Sequence, residues 1–137
     1  MTEYKKQVER WGMQEIVLQG PTEGNPFTEQ WVRGTFRCAA QTVQAEGFYD
    51  GEGVYKVRFM PSFEMPYQFE VEASFLEEKE SGEFAVTPAG EGNHGPVRVA
   101  YTYHFAYEDG TPYYPVGTTC YVWELQSEEL QEETLRE

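Results

Sequence analysis

Basic residues are scarce in this chain. Ten Lys and Arg stand against twenty-four Asp and Glu, a formal net charge of −14. They are scattered, with no cluster longer than Lys5-Lys6. A nucleic-acid surface needs a basic stripe that displaces counterions, so nucleic acid is excluded as a partner. Anionic membrane surfaces are disfavoured on the same ground. A partner is expected to be neutral or basic. Long apolar runs are missing too, and nothing approaches the roughly 20 residues a membrane helix requires. The N-terminus, Met1-Thr2-Glu3-Tyr4-Lys5-Lys6, has neither the apolar core nor the cleavage site of a signal peptide. Cysteine is limited to Cys38 and Cys120, both inside apolar strand patterns, which predicts buried free thiols rather than a disulfide framework. Asn25 and Asn93 lie outside any glycosylation sequon. Together these features predict a cytoplasmic protein.

Motifs for chemistry are equally thin. There is no nucleophile-elbow G-x-S-x-G, no P-loop and no dinucleotide fingerprint, so no cofactor is expected. His94 and His104 have no ligand-type partner three or four residues away, which argues against a metal site. His94, in Asn93-His94-Gly95-Pro96, is expected to make structural hydrogen bonds. Asp50-Gly51-Glu52-Gly53 lacks the spaced carboxylates of a calcium loop and reads as a turn. A glycosidase needs two carboxylates flanking one bond. Glu77-Glu78 and Glu132-Glu133 are sequence neighbours on solvated segments, and neighbours on a strand point to opposite faces. They make poor catalytic pairs.

What the chain does hold is aromatic residues, 16% of the total, and period-two alternation. Large rings bury enough apolar area for 137 residues to build a core. Phe69, Val71, Ala73 and Phe75 alternate with polar residues from Gln68 onward, the pattern of a strand with one wet face. Val54 to Phe59, Trp31 to Cys38, and Val97 to Val99 repeat it. Between Trp11 and Leu18 the phase slips, which predicts a bulge near Gln14. Gly20-Pro21 through Asn25-Pro26 reads as a broad loop, and Asp50-Gly51-Glu52-Gly53 and Asp109-Gly110 as hairpin turns. Short strands with glycine-rich turns and little helical periodicity predict an antiparallel β-sandwich, with about seven or eight strands before residue 100.

Beyond residue 100 the character changes. Tyr101 to Tyr107 and Pro112 to Val116 predict an aromatic hairpin around Asp109-Gly110. Thr118 to Trp123 lacks alternation and reads as a strand buried on both faces, which belongs in a parallel sheet. Ser127 is a predicted N-cap, with Glu128 and Glu129 in the first helical turn. From Glu124 onward six glutamates meet one arginine. A buried strand followed by a helix opens a βα unit, which cannot bury itself. The expected division is therefore a sandwich over 1–100, then a hairpin plus the first βα unit over 101–137. Apolar surface exposed on the second part, including Tyr121, Val122 and Trp123, would drive self-association. Aromatic rings also suit the apolar face of a sugar. Tyr67, Tyr113 and Tyr114 lie near predicted turns and are candidates for an exposed carbohydrate platform, although alternating aromatics are more often core.

Six strings occur in a particular order. They are Gly24-Asn25-Pro26-Phe27, Gly47 to Gly53, Tyr55 to Pro61, Asn93 to Val99, Phe105 to Tyr113, and Gly117 to Trp123. Together they resemble the N-terminal immunoglobulin-like domain, of unknown function, of bacterial proteins named putative glycoside hydrolases, where it precedes an apiosidase-like TIM barrel. The resemblance runs from about Val8 to Leu135. It implies that Gly117 to Trp123 is the first strand of a truncated barrel and that Ser127 to Glu137 begins its first helix. It further implies a non-catalytic accessory domain whose partner is its own C-terminal catalytic barrel. Catalytic carboxylates would stand on later barrel strands, so no catalytic residue is assigned here. Trp123 and Glu124, ending that first strand, are the nearest candidates for carbohydrate contact. An autonomous carbohydrate-binding module is the alternative. Asn93, His94, Asp50 and Asp109 are taken as structural.

Overall fold

The computed structural model describes residues 2–117 and 119–136. Strands β1 (Gln7–Glu9), β2 (Gln14–Gln19), β3 (Val32–Arg37), β4 (Thr42–Glu46), β5 (Phe48–Tyr49), β6 (Val54–Phe59), β7 (Tyr67–Ala73) and β8 (Glu80–Thr87) build two sheets. One has the order β1-β8-β7-β3-β4 and the other β2-β6-β5. A helical turn, α1 (Pro26–Glu29), interrupts the predicted broad loop, with Pro26 buried at its first position, where its missing N–H costs nothing.

Alternation explains why these segments become strands. Along β7 the buried positions are Tyr67, Phe69, Val71 and Ala73, while Gln68, Glu70 and Glu72 look outward. β3 and β6 do the same with Val32 and Phe36, and with Tyr55, Val57 and Phe59. The two sheets share one core across these faces. Phe36 of β3 stacks on Phe59 of β6 with ring centroids 4.2 Å apart, and Phe59 also meets Tyr67 and Phe84 of the larger sheet. Gly82 lies opposite Phe69 because a Cβ there would come within 2.7 Å of both that ring and the Tyr4 hydroxyl.

Several expectations change. Nine strands, not seven or eight, precede residue 101 among the described residues, because the short β1 and β5 leave little periodic signal. The larger sheet is mixed, since β1 runs parallel to β8. A parallel pair needs a long crossover, and the chain from β2 to β7 supplies it. The phase slip near Gln14 is no bulge. The chain breaks in a turn at Arg10–Gly12, with Trp11 at φ 60°, and changes sheets. Gln14 is fully buried there, and its side-chain amide donates to Lys5 O (2.6 Å) and accepts from Lys5 N (3.2 Å). It serves as a surrogate strand partner.

A third sheet, β11-β10-β9, comprises β9 (Val97–Ala100), β10 (His104–Tyr107) and β11 (Pro112–Tyr113). It straddles the boundary expected at residue 100, because Phe105 pairs with Val99 across it. The aromatic hairpin is shorter than expected. Tyr101 to Tyr103 form a tight connection instead, with Tyr101 at φ 51° and Thr102 at φ 71°. The strand expected over Thr118–Trp123 is not formed: Thr118 lies outside the described residues, and 119–122 run without strand pairing into a 3₁₀ turn at Trp123–Leu125. A strand apolar on both faces needs a layer packed on each face and a neighbour to pair with, and no described strand pairs with this segment. The expected helix does form as α2 (Glu128–Thr134), and the Ser127 hydroxyl accepts from Leu130 N. Cys38 and Cys120 are free thiols; Cys38 is half-buried, and Cys120 is exposed rather than buried because its strand is absent.

Two tests follow. Phe36→Ala removes the ring that joins the sheets and should cost about 3–5 kcal/mol in urea unfolding, whereas Gln14→Ala orphans the Lys5 backbone and should cost about 1–3 kcal/mol. Burial pushes the Tyr55 and Tyr67 hydroxyls above their ordinary value of 10.0, aided by Tyr49 and Cys38 respectively. Folded groups that hold protons more tightly stabilise below the unfolded pKa and lose that contribution as pH rises through the folded one. Stability should therefore fall above pH 10, tracked by tyrosinate absorbance, and less steeply in Tyr67→Phe.

Candidate functional site

The third sheet carries the most unusual surface of the described residues. From Val99 to Trp123 the chain has Glu108 and Asp109 as its only acidic or basic side chains, histidine aside. Cross-strand register lines up Val99, Phe105 and Tyr113 on one face. Around them Tyr101 and Tyr103 are each 88% exposed and Tyr114 is 81% exposed. With Pro112 and Pro115 these rings enclose an open cleft of about 430 Å³.

What holds the sheet to the sandwich is a short polar relay. Asn93 Nδ2 donates to Arg10 O (3.1 Å), and Gly95 N donates to Asn93 Oδ1 (3.2 Å). Gly95 sits so close to Trp11 that a Cβ would meet its ring at 2.7 Å, and its φ of 81° also favours glycine. His94 Nδ1 donates to Asp109 Oδ2 at 2.7 Å, and Asp109 N donates back to His94 O at 3.3 Å. Asp109 Oδ1 accepts from Thr111 N at 2.9 Å, which fixes the β10–β11 turn. Tyr107 packs 5.4 Å from His94 and edge-on to Tyr113. Arg98 and Glu108 pair at 2.8 Å. The Thr111 amide, and then the His94 ring, hold the Asp109 carboxyl below its ordinary value of 3.8.

The sequence-predicted residues fare differently. Asn93, His94 and Asp109 meet in this relay. Asp50 shapes the β5–β6 turn, where its N–H donates to Val54 O and its carboxylate pairs with Lys56. Tyr113 and Tyr114 line the cleft. Tyr67 does not: it is 0% exposed, and its hydroxyl accepts from Gln41 Nε2 at 2.8 Å. Its alternation along β7 sends it into the core, so it is no surface platform. Trp123 is half-buried against α2, donating Nε1–H to Gln131 O at 3.3 Å, and Glu124 is exposed beside it; neither ends a strand. Tyr101, Tyr103 and Phe105 were missed as site residues, although the uncharged run around them was visible. A second, polar cleft of about 450 Å³ lies over β3, β7 and β8, where Arg37 pairs with Glu70 at 3.2 Å. Among the described residues no three His, Cys, Asp or Glu side chains are grouped to hold a metal, and no helix is long and apolar enough to cross a membrane.

The described residues form a mainly β domain of two packed sheets with an appended three-stranded aromatic sheet, whose own cleft has no carboxylate among its described lining residues. Residues 7–74 match the family model of a domain of unknown function, DUF5060. The chain also matches the crystal structure of a protein from Bacteroides vulgatus described as a putative glycoside hydrolase, at 41% identity and a TM-score of 0.87. The match covers 96% of this chain and 26% of that one, so this chain spans about a quarter of its neighbour's length. It is consistent with the N-terminal domain of unknown function of such proteins. No curated protein matches the chain.

Protonating Asp109 should loosen the relay. A carboxyl held below its unfolded pKa stabilises above that value and ceases to as pH falls through the folded one. The tyrosine near-ultraviolet circular dichroism of the third sheet should therefore hold steady down to about pH 4 and change below 3.8. Asp109→Asn should remove that step and leave the neutral-pH spectrum of the sandwich core intact.

Proposed function

We propose that this chain is the non-catalytic N-terminal accessory domain of a glycoside hydrolase, an immunoglobulin-like β-sandwich that packs against the catalytic part and helps shape its carbohydrate cleft. The supporting observation is the match of 96% of this chain to about a quarter of a protein described as a putative glycoside hydrolase. The exposed residues 119–122 favour it as well, since a charge-free segment without strand pairing and with Tyr121 at 84% exposure is suited to joining a neighbouring sheet as the first strand of a (β/α)8 barrel. In that arrangement the acid and the nucleophile come from later strands, and this domain supplies rigidity and one rim.

The test is to read the coding DNA beyond Glu137 and assay both products on aryl glycosides. A continuing frame whose product hydrolyses glycosides, while this chain alone is inert, is the expected result. A stop codon at that point, or hydrolysis by this chain alone, would overturn the reading.

A carbohydrate-binding module is the second reading, favoured by the 430 Å³ cleft that Tyr113 and Tyr114 line. On that reading, titration with soluble oligosaccharides gives saturable millimolar or tighter binding, abolished by Tyr114→Ala.

A further inference from the structure

The face built by β9–β11 is too apolar and too ring-rich for a surface that meets water throughout the protein's life. Val99, Tyr101, Tyr103, Phe105 and Tyr114 are all exposed and contiguous with the cleft. Large exposed apolar patches mark interaction sites. The centres of protein–protein contacts are specifically depleted of charge and enriched in tyrosine. This run meets both conditions, in a chain where a quarter of all residues are charged. The connection at Tyr101 and Thr102 adds a second sign. Two successive non-glycine residues in the left-handed region are costly, and such strain persists where function holds it. Here it presents two almost fully exposed tyrosines on one protruding turn.

We infer that this face, centred on Tyr101, Tyr103 and Tyr114, is the docking surface for the catalytic part of a longer glycoside hydrolase. The inference deepens the accessory-domain reading and rests on it. Two observations single out that occupant. The neighbouring crystal structure has about three quarters of its chain outside the region this chain matches, so a body large enough to cover the face is present in a protein of that kind. The uncharged centre lies within a molecule of net charge −14, with the glutamates of the 124–133 segment nearby in sequence, which calls for a partner apolar at its middle and neutral or basic at its rim. A second copy of this chain would bring its own acidic residues to that rim. The His94–Asp109 relay then has a defined purpose: it fixes the angle at which the sandwich presents the face.

Hydroxyl-radical footprinting with mass-spectrometric readout tests this directly. It is applied to this chain at low concentration and to the product read through beyond Glu137. Phe27, 72% exposed on α1 and far in sequence from the face, is the internal control. The expected result is fast modification of Tyr101, Tyr103 and Tyr114 in this chain, slowed several-fold in the longer product, with Phe27 unchanged. Equal tyrosine reactivity in a longer, active product would overturn the docking surface and leave the accessory-domain reading standing. A frame that ends at Glu137 would overturn both. Protection in this chain alone that grows with its concentration would assign the face to a second copy instead. Protection by added oligosaccharide would assign it to a glycan. Either of these also overturns the inference.

Discussion

The contact of Phe36 with Phe59 joins a five-stranded sheet to a three-stranded one, and most of the molecule is arranged around it. The rings stack nearly parallel at 4.2 Å, and Phe59 reaches on to Tyr67 and Phe84. Both sheets are amphipathic, so neither is stable without the other face. Phe36, Tyr55, Phe59, Tyr67, Phe69 and Phe84 are the rings buried in that core. Tyr67 belongs to this set by its position on β7, which is why a tyrosine close to a turn proves unavailable to any ligand.

The other aromatic population lies beyond residue 100 and has no such core within the described residues. The same chemistry that builds a core in one place leaves an open face in the other. The polar relay through Asn93, His94 and Asp109 couples the two regions and holds the third sheet in place. A domain of this kind is rigid on one side and unsatisfied on the other. That asymmetry suits a part of a larger machine, in keeping with a neighbour of which it spans about a quarter.

Much of the fold was legible because strand periodicity is local. β3, β6, β7 and β9, the turns at Asp50-Gly51 and Asp109-Gly110, and the Ser127 cap all follow from side-chain alternation, positive φ at glycine, and capping chemistry. The mainly β class and the similarity to glycoside hydrolase domains were legible as well. The misreadings share a cause. The slip at Gln14 looked like a bulge because sequence phase does not say whether a chain bends within a sheet or leaves it. Cys120 and the strand around it looked buried because an apolar run carries no record of what covers it.

Sequence alone therefore determined which residues alternate, where the chain turns, that the molecule is strongly acidic, and that the run from Val99 to Trp123 is nearly free of charge. Each of these depends on a residue and its close neighbours. Tertiary structure decided the parallel pairing of β1 with β8, the burial of Gln14 against Lys5, the withdrawal of Tyr67 into the core, and the exposure of Tyr101 and Tyr103. Those outcomes depend on contacts between segments distant in the chain, where burial is set by whichever surface arrives opposite, and no local pattern encodes that.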